Sequence, residues 1–292
     1  MASKIQTKTV AIVGAGGIGL PISKAILEAG LSVKILSRSR TPKQGIEEAQ
    51  TVAVDYNDVN SIREAFEGVD VVISTANAPD SLQFHKRLAD AAKVQGVKLF
   101  VPSDFGMDID AIPPAELPPQ LQVKQEIAAY LEQIGLPYLR IHTGVFAEYL
   151  FSPFVGFDVE RSAFRLVGSS EVPVASTAKA DVGGFVAHIL STQPLSEVQN
   201  QEVKIQSFQH TLRDYLAEFE KAKNVKLDVQ TTTIAEAQAS IPTLTDPMAK
   251  FSTLIRIFFA KGYAKTQTDN ERFRWNPKYA TPIDFLKATA AI

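Results

Sequence analysis

Three sets of residues in this sequence have the types and spacing to do chemistry. Gly14, Gly16 and Gly19 stand in G-x-G-x-x-G spacing within Val13-Gly14-Ala15-Gly16-Gly17-Ile18-Gly19. They follow the β-branched run Val10–Val13 and open a helical pattern through Ile18, Ile22, Ala25, Ile26 and Leu27 that stops at Gly30. In that context Gly14 permits a tight turn, Gly16 lets the backbone approach a pyrophosphate, and Gly19 lets helix and strand pack closely. The helix N-terminus then offers unpaired N–H groups to the anion. Gly14, Gly16, Gly17, Ile18 and Gly19 are the expected dinucleotide contacts.

The second set lies where an NAD-preferring site carries an acidic residue, about 20 residues further on. This chain reads Ser37-Arg38-Ser39-Arg40 there. A guanidinium matches phosphate oxygens, whereas a carboxylate would repel them. The expectation is NADP(H), with Arg38 the main contact to the 2′-phosphate and Lys43 a second; the bland alternative is a solvated arginine pair at a strand end.

The third set is a lysine among apolar residues. Lys124, Ile127, Ala128 and Leu131 fall at i, i+3, i+4 and i+7 and share one helix stripe. Such a lysine is either a stem snorkelling from the edge of a core or a group pointing into a cleft as general acid or base. A free lysine titrates near 10.4, and desolvation lowers that value towards the useful range. The Tyr-x-x-x-Lys arrangement would need tyrosine at position 120, where Gln120 stands.

The elements that must position these residues alternate. Strands are predicted at Val10–Val13, Val33–Leu36, Val52–Val54, Val69–Ser74, Val97–Val101 and Tyr138–Ile141. Helices follow the first strand, Ser61-Ile62-Arg63-Glu64 as a capping box, Ser81 to Gln95, and Gln120 to Ile134. Repeated βα units imply an α/β fold with a doubly wound parallel sheet of Rossmann type. Thr75-Ala76-Asn77 and Pro102-Ser103-Asp104-Phe105-Gly106 then fall at carboxyl ends of parallel strands, where ligands bind. Thr75, Ala76, Asn77, Ser103, Phe105 and Lys124 complete the expected cofactor set. After about Tyr149 the rhythm breaks into irregular sequence and scattered short helices. The expected organisation is a dinucleotide-binding domain over 1–150 and a smaller α/β substrate lobe over 151–292, with about 200–208 returning to the main sheet.

The chain has 292 residues, 45% of them hydrophobic and 21% charged, which describes a folded globular protein. Its net charge of −2 and lack of basic blocks weigh against nucleic acid. With no Cys and four scattered His, no metal site is expected. The apolar stretch near the N-terminus is cut by glycines and Pro21, too short to span a bilayer, so the expected location is the cytoplasm.

Taken together, the glycine loop, Arg38, Phe100-Val101-Pro102-Ser103-Asp104-Phe105-Gly106-Met107-Asp108, Lys124 and Gly135-Leu136-Pro137-Tyr138 resemble the NmrA-like, isoflavone reductase-like family of atypical short-chain dehydrogenases. That family includes phenylcoumaran benzylic ether and pinoresinol–lariciresinol reductases. Ala180-Asp181-Val182-Gly183 resembles its Asp-Ile-Gly segment before a helix, and Ser103-Asp104 departs from the usual Ser-Glu. The resemblance implies an NADP-binding Rossmann domain with a small α/β lobe, and Lys124 as catalytic lysine.

The function expected from these readings is an NADPH-dependent reductase of secondary metabolism, an oxidoreductase acting on an aromatic or polyketide-like small molecule. Alternatives are a non-catalytic NADP(H)-sensing regulator and a redox-neutral isomerase or cyclase. Phe105, Met107, His142, Phe146 and Tyr149 are the expected substrate contacts, and the aromatic run Phe151, Phe154, Phe157, Phe251, Phe258, Phe259 and Tyr263 is either pocket wall or core. Asp104 and Asp108 either orient Lys124 or terminate a loop. The sequence leaves the oligomeric state open.

Overall fold

The computed structural model describes residues 7–78, 80–158 and 160–289. In chain order the first half runs β1 (Thr9–Val13), α1 (Gly19–Glu28), β2 (Ser32–Ser37), β3 (Gln50–Ala53), α2 (Val59–Ala65), β4 (Val71–Ser74), α3 (Ser81–Val94), β5 (Leu99–Val101), α4 (Pro119–Gln133) and β6 (Leu139–His142). The second half runs β7 (Val145–Phe146), α5 (Ala147–Leu150), β8 (Phe157–Asp158), β9 (Ala163–Val167), β10 (Pro173–Thr177), α6 (Lys179–Thr192), α7 (Leu195–Val198), β11 (Gln201–Lys204), β12 (Phe208–Thr211), α8 (Leu212–Lys223), β13 (Asp228–Thr232), α9 (Ile234–Ser240), α10 (Pro247–Ala260) and α11 (Pro282–Thr289).

The chain divides into two compact units. One comprises Met1–Phe105, Ile112–His142 and Val182–Val203, and the other Gly106–Ala111, Thr143–Asp181 and Lys204–Ile292. The first is built on a parallel five-stranded sheet of order β3-β2-β1-β4-β5, with Val13 level with Leu36 of β2 and with Ser74 of β4. β1 is buried on both faces, since Val10, Ala11, Ile12 and Val13 are all at most 1% exposed. Ala11 and Val13 join a core with Leu36, Val72 and Phe100 that receives Ile62, Phe66, Leu88, Ala92, Ile127 and Leu131 from α2, α3 and α4 and the residues beside them. α6 packs closely on α1, because a Cβ on Gly183 would fall 2.5 Å from the Pro21 carbonyl oxygen. The unit is therefore a Rossmann-type doubly wound sheet, as the strand–helix alternation predicts. β11 pairs with β6, and the Phe100 N–H donates to Pro137 O at 2.8 Å beside a Phe100–Tyr138 bridge.

Two local expectations are corrected here. α2 does not open on a box at Ser61: it starts at Val59, and the Asp58 side chain caps it by accepting from Asn60 N–H. The Ser61 hydroxyl instead accepts from Asp55 N–H at 3.1 Å. An aspartate is as good an N-cap as a serine, so the earlier of two competent caps sets the boundary. Likewise Ala180-Asp181-Val182-Gly183 lies inside the first turns of α6 and not ahead of the helix.

The second unit contains two three-stranded sheets, β12-β10-β7 and β13-β9-β8, where the sequence reads as irregular. β7 and β8 are two residues long, and all five residues of β13 are exposed, so no period-two apolar pattern marks these three. Tyr215 anchors α8 to the first of these sheets by donating to Val174 O at 2.9 Å. Among the described residues no helix is long and apolar enough to cross a membrane.

Candidate active site

At the end of β1 the chain turns through Gly14, whose φ of +91° lies in the left-handed region that favours glycine. The Thr75 hydroxyl donates to the Gly14 carbonyl, and Thr75 N–H donates to Val13 O at 3.0 Å. Thr75 thus ties the loop after β4 to the loop after β1, at the point where the strand order reverses. The two later glycines of the motif differ physically. A Cβ on Gly19 would lie 2.0 Å from Gly14 O and 2.6 Å from Thr75 Oγ1, so no side chain fits there. A Cβ on Gly16 or Gly17 would meet nothing within 4 Å.

α1 begins at Gly19 with no side-chain cap on Ile18 and no acidic residue in its first turn. Among the described residues no side chain caps its N-terminal N–H groups, and the bare backbone at Gly16 and Gly17 leaves room in front of them. These residues fit a pyrophosphate.

Arg38, one residue past β2, is exposed and borders a pocket of 370 Å³ with Ala53, Val54, Asp55, Tyr56 and Asn57. Burial raises the Tyr56 hydroxyl pKa above its ordinary value, and the Arg38 cation opposes the rise. The Asp55 carboxylate is turned onto its own chain, accepting from Asn57 N–H at 2.9 Å. Lys43 is half-buried in the following turn, where its carbonyl accepts from Ile46 N–H. Ala76 is half-buried and Asn77 exposed in the loop after β4.

The second cluster surrounds Lys124. Ile127, Ala128 and Leu131 are the buried residues of α4, and Lys124 stands one turn earlier on that stripe with its side chain 26% exposed. Its Nζ lies 4.0 Å from Oδ1 of the buried Asp104. Asp104 Oδ2 accepts from Arg140 Nε at 2.5 Å, and Arg140 Nη1 also donates to Glu202. Burial pushes the Lys124 pKa down, the Asp104 charge pulls it up, and Arg140 pushes it down again; the net direction is downward. Ser103 is half-buried and Phe105 buried beside Asp104 in the same loop.

His142, at the end of β6, is 2% exposed, and neither ring nitrogen has a hydrogen-bond partner among the described residues. Its Nε2 lies 3.7 Å from Glu202 Oε2. His85 in α3 is also buried, with Nε2 2.9 Å from Ser74 Oγ and Nδ1 2.8 Å from Ser81 O. Its burial lowers its pKa.

The other expected substrate contacts lie in the second unit. Met107 is half-buried, and the neighbouring Asp108 pairs with Lys204 Nζ at 2.5 Å. Phe146 and Tyr149 form a ring pair 6.0 Å apart, and the pairing continues through Phe154 to Phe251. Lys179 Nζ sits 4.5 Å from the Tyr149 ring centre and 5.6 Å from that of Phe146, and Tyr149 is 42% exposed. Phe157, Phe258 and Phe259 are at most 2% exposed and belong to the core.

Sequence reasoning missed Arg140, Glu202 and Tyr56. The signal for Arg140 was present: a cation between the apolar Leu139 and Ile141, in a strand that is buried throughout.

A family model described as the NmrA-like family matches residues 6–285. The chain belongs to this family. Among its curated relatives, the oxidoreductase aprR of Aspergillus flavus is 33% identical, over 63% of this chain and 64% of that protein. An isoflavone reductase homolog, P3, of Arabidopsis thaliana is 32% identical over 62% and 63%, and phenylcoumaran benzylic ether reductase PT1 of Pinus taeda 30% over 60% and 62%. The match thus spans somewhat less than two thirds of each relative. Two solved structures share the fold of this NmrA-like chain along nearly its whole length. The crystal structure of isoflavone reductase superposes with a TM-score of 0.83 at 22% identity, covering 97% of this chain and 99% of that one. A structure described as AtPrR2 with NADP+ and (+)pinoresinol gives 0.81 at 20% identity, covering 97% and 98%.

Proposed function

We propose that this NmrA-like protein is an NADPH-dependent reductase that acts on an aromatic or polyketide-like small molecule, with Lys124 as its general acid or base. The observation that carries the reading is the Lys124 cluster: an ammonium on the inner stripe of α4, partly desolvated and facing a buried carboxylate, in the unit that also carries the glycine loop. Perturbed titration in a unit that also carries a ligand cradle suits acid–base chemistry.

Gly14, Gly16, Gly17, Ile18 and Gly19 would hold the pyrophosphate, and Arg38, with Lys43 next along the chain, the 2′-phosphate. Thr75, Ala76, Asn77, Ser103 and Phe105 would line the remainder of the cofactor. Bound NADPH supplies a hydride. Lys124 would then supply the proton that balances it on the substrate, and take that proton back in the reverse direction. Phe105, Met107, His142, Phe146 and Tyr149 would face the substrate, and the partly exposed rings of Phe146 and Tyr149 suit a planar apolar ligand. The reading also draws support from the relatives' names and from a structural neighbour solved as a leucoanthocyanidin reductase–NADPH complex from Vitis vinifera.

The test is incubation of purified protein with NADPH and a panel of aromatic ethers, enones and isoflavonoids, following cofactor absorbance and product mass, with Lys124→Ala in parallel. Products heavier by two hydrogens, lost in the variant, support the reading. A mass-neutral product without NADPH consumption replaces it with an isomerase, and NADPH binding with no conversion favours a sensor.

A further inference from the structure

Asp104 sits at the end of a tight turn just past β5, closed by its own N–H donating to Pro102 O at 2.8 Å. Its side chain is 2% exposed, and its two oxygens face two different cations. Oδ2 accepts from Arg140 Nε, while Oδ1 looks across 4.0 Å to Lys124 Nζ. Arg140 is itself shared with Glu202.

Charge counting gives these contacts a direction. Arg140 is always charged, and two carboxylates contact it, so the trio carries one surplus negative charge. Lys124 is the cation that matches it. Further titratable groups around the cluster are Tyr138, which feels the charges of both Arg140 and Glu202, His142 beside Glu202, and His85 from α3. His85, lowered by its burial, stays neutral near pH 7 and adds no competing charge. At 4.0 Å the Asp104–Lys124 pair is electrostatic and not a hydrogen bond, so the ammonium keeps its protons for another acceptor. A carboxylate within 4–6 Å of a cation shifts its ionisation by roughly 1–3 pH units.

We propose that Asp104 is a positioning residue for Lys124: clamped by Arg140 through one oxygen, it uses the other to hold the Lys124 ammonium charged and undonated on the inner edge of α4. The proposal rests on Lys124 being the acid–base group. It assigns Asp104 a role beyond neutralising Arg140, which Glu202 also contacts.

The test reads Lys124 directly. In protein labelled with ¹³C-lysine, the Cε resonance of Lys124, assigned by its loss in Lys124→Arg, is titrated in wild type, Asp104→Asn and Asp104→Glu. The expected result is a midpoint lower by about one pH unit or more in Asp104→Asn, with recovery of at least half the shift in Asp104→Glu. The limb of the pH–rate profile set by Lys124 should move by the same amount. A Lys124 midpoint unchanged in Asp104→Asn overturns the proposal and leaves Asp104 as a structural partner of Arg140. If Asp104→Asn does not fold, Glu202→Gln carries the test, because losing that carboxylate removes one acidic contact of Arg140 and leaves Asp104 more of its charge to offset. The Lys124 midpoint must then fall, and a static one overturns the proposal. The resonance titrates whether or not a substrate turns over, so a failed reductase assay and a failed Asp104 proposal give separate signatures.

Discussion

Alanine at Gly19 and alanine at Gly16 perturb one loop in two different ways. A Cβ at Gly19 would stand 2.0 Å from the Gly14 carbonyl oxygen and 2.6 Å from Thr75 Oγ1, against about 3.4 Å or more for ordinary van der Waals contact. Relief requires α1 to move outward by more than an ångström, which breaks its packing on β1 and β2. Overpacking of this kind costs about 1–3 kcal/mol, occasionally more. Gly19 is also the first residue of α1, where alanine recovers at most about 1 kcal/mol of helix propensity, so the clash wins and a net loss of roughly 1–2 kcal/mol is expected.

At Gly16 the signs reverse. Nothing lies within 4 Å of its Cβ, and its φ is not among the positive ones. Gly16→Ala should therefore leave stability unchanged or raise it by up to about 1 kcal/mol through the entropy of the unfolded chain. Its methyl instead projects where the pyrophosphate would sit, and NADPH affinity should fall more than about tenfold, some 1.4 kcal/mol. Urea denaturation and fluorescence titration with NADPH, run on both variants, separate the effects. Equal NADPH affinity of Gly16→Ala and wild type, or destabilisation of Gly16→Ala matching that of Gly19→Ala, would refute the assignment of one glycine to the ligand and the other to packing.

Three further outcomes are expected. Arg38→Ala should weaken NADPH binding by at least about tenfold, the worth of a charge-assisted contact, with NADH binding unchanged; equal loss for both cofactors in calorimetry would remove Arg38 from the 2′-phosphate. Lys124→Ala should lower turnover by about 10²–10⁴ while NADPH affinity stays within a few-fold of wild type, and a rate within a few-fold of wild type would end its acid–base role. His85 is held below its ordinary value of 6.5 by burial, so its stabilising contribution is complete above about pH 6.5 and is lost as pH falls towards its folded-state value. The wild type should lose up to about 1.4 kcal/mol per pH unit in that window relative to His85→Gln, and parallel stability–pH curves for the two proteins would refute this.

The first unit was legible because each of its elements is punctuated by a residue that can do little else. Gly30 and Gly135 both sit at positive φ past a helix end, the position where a side chain would be strained. Between such stops the apolar runs of β1 and β4 are too short for helices and too β-branched for loops. The glycine motif and the Lys124 stripe were readable for the same reason, since spacing within one element is local information. In the second unit the strands of Ala163–Val167 and Asp228–Thr232 pair in parallel across more than sixty residues. β13, wholly exposed, gains its place from backbone pairing and not from side-chain burial. No pattern in five polar-leaning residues announces such a partner.

The charge cluster marks a different boundary of what a sequence discloses. A cation flanked by Leu139 and Ile141 in a strand of a two-faced buried sheet must bring carboxylates with it, because an unpaired buried guanidinium would be too costly to keep. The need is therefore visible in the sequence, but the identity of the partners is not. They come from 36 residues before and 62 residues after Arg140, one from the turn past β5 and one from β11, and only the order in which strands lie side by side selects them from the 32 acidic residues of the chain. Strand order is itself fixed by the doubly wound topology around β1. β6, bridged to β5 at Phe100–Tyr138, brings Arg140 to one Asp104 oxygen, and α4 brings Lys124 to the other. The glycine loop follows β1 and Asp104 follows β5 of the same five-stranded sheet, with β6 joined to β5 at the Phe100–Tyr138 bridge: a change that shifts β6 against β5 should reach Lys124 through Arg140 and Asp104 without touching α4.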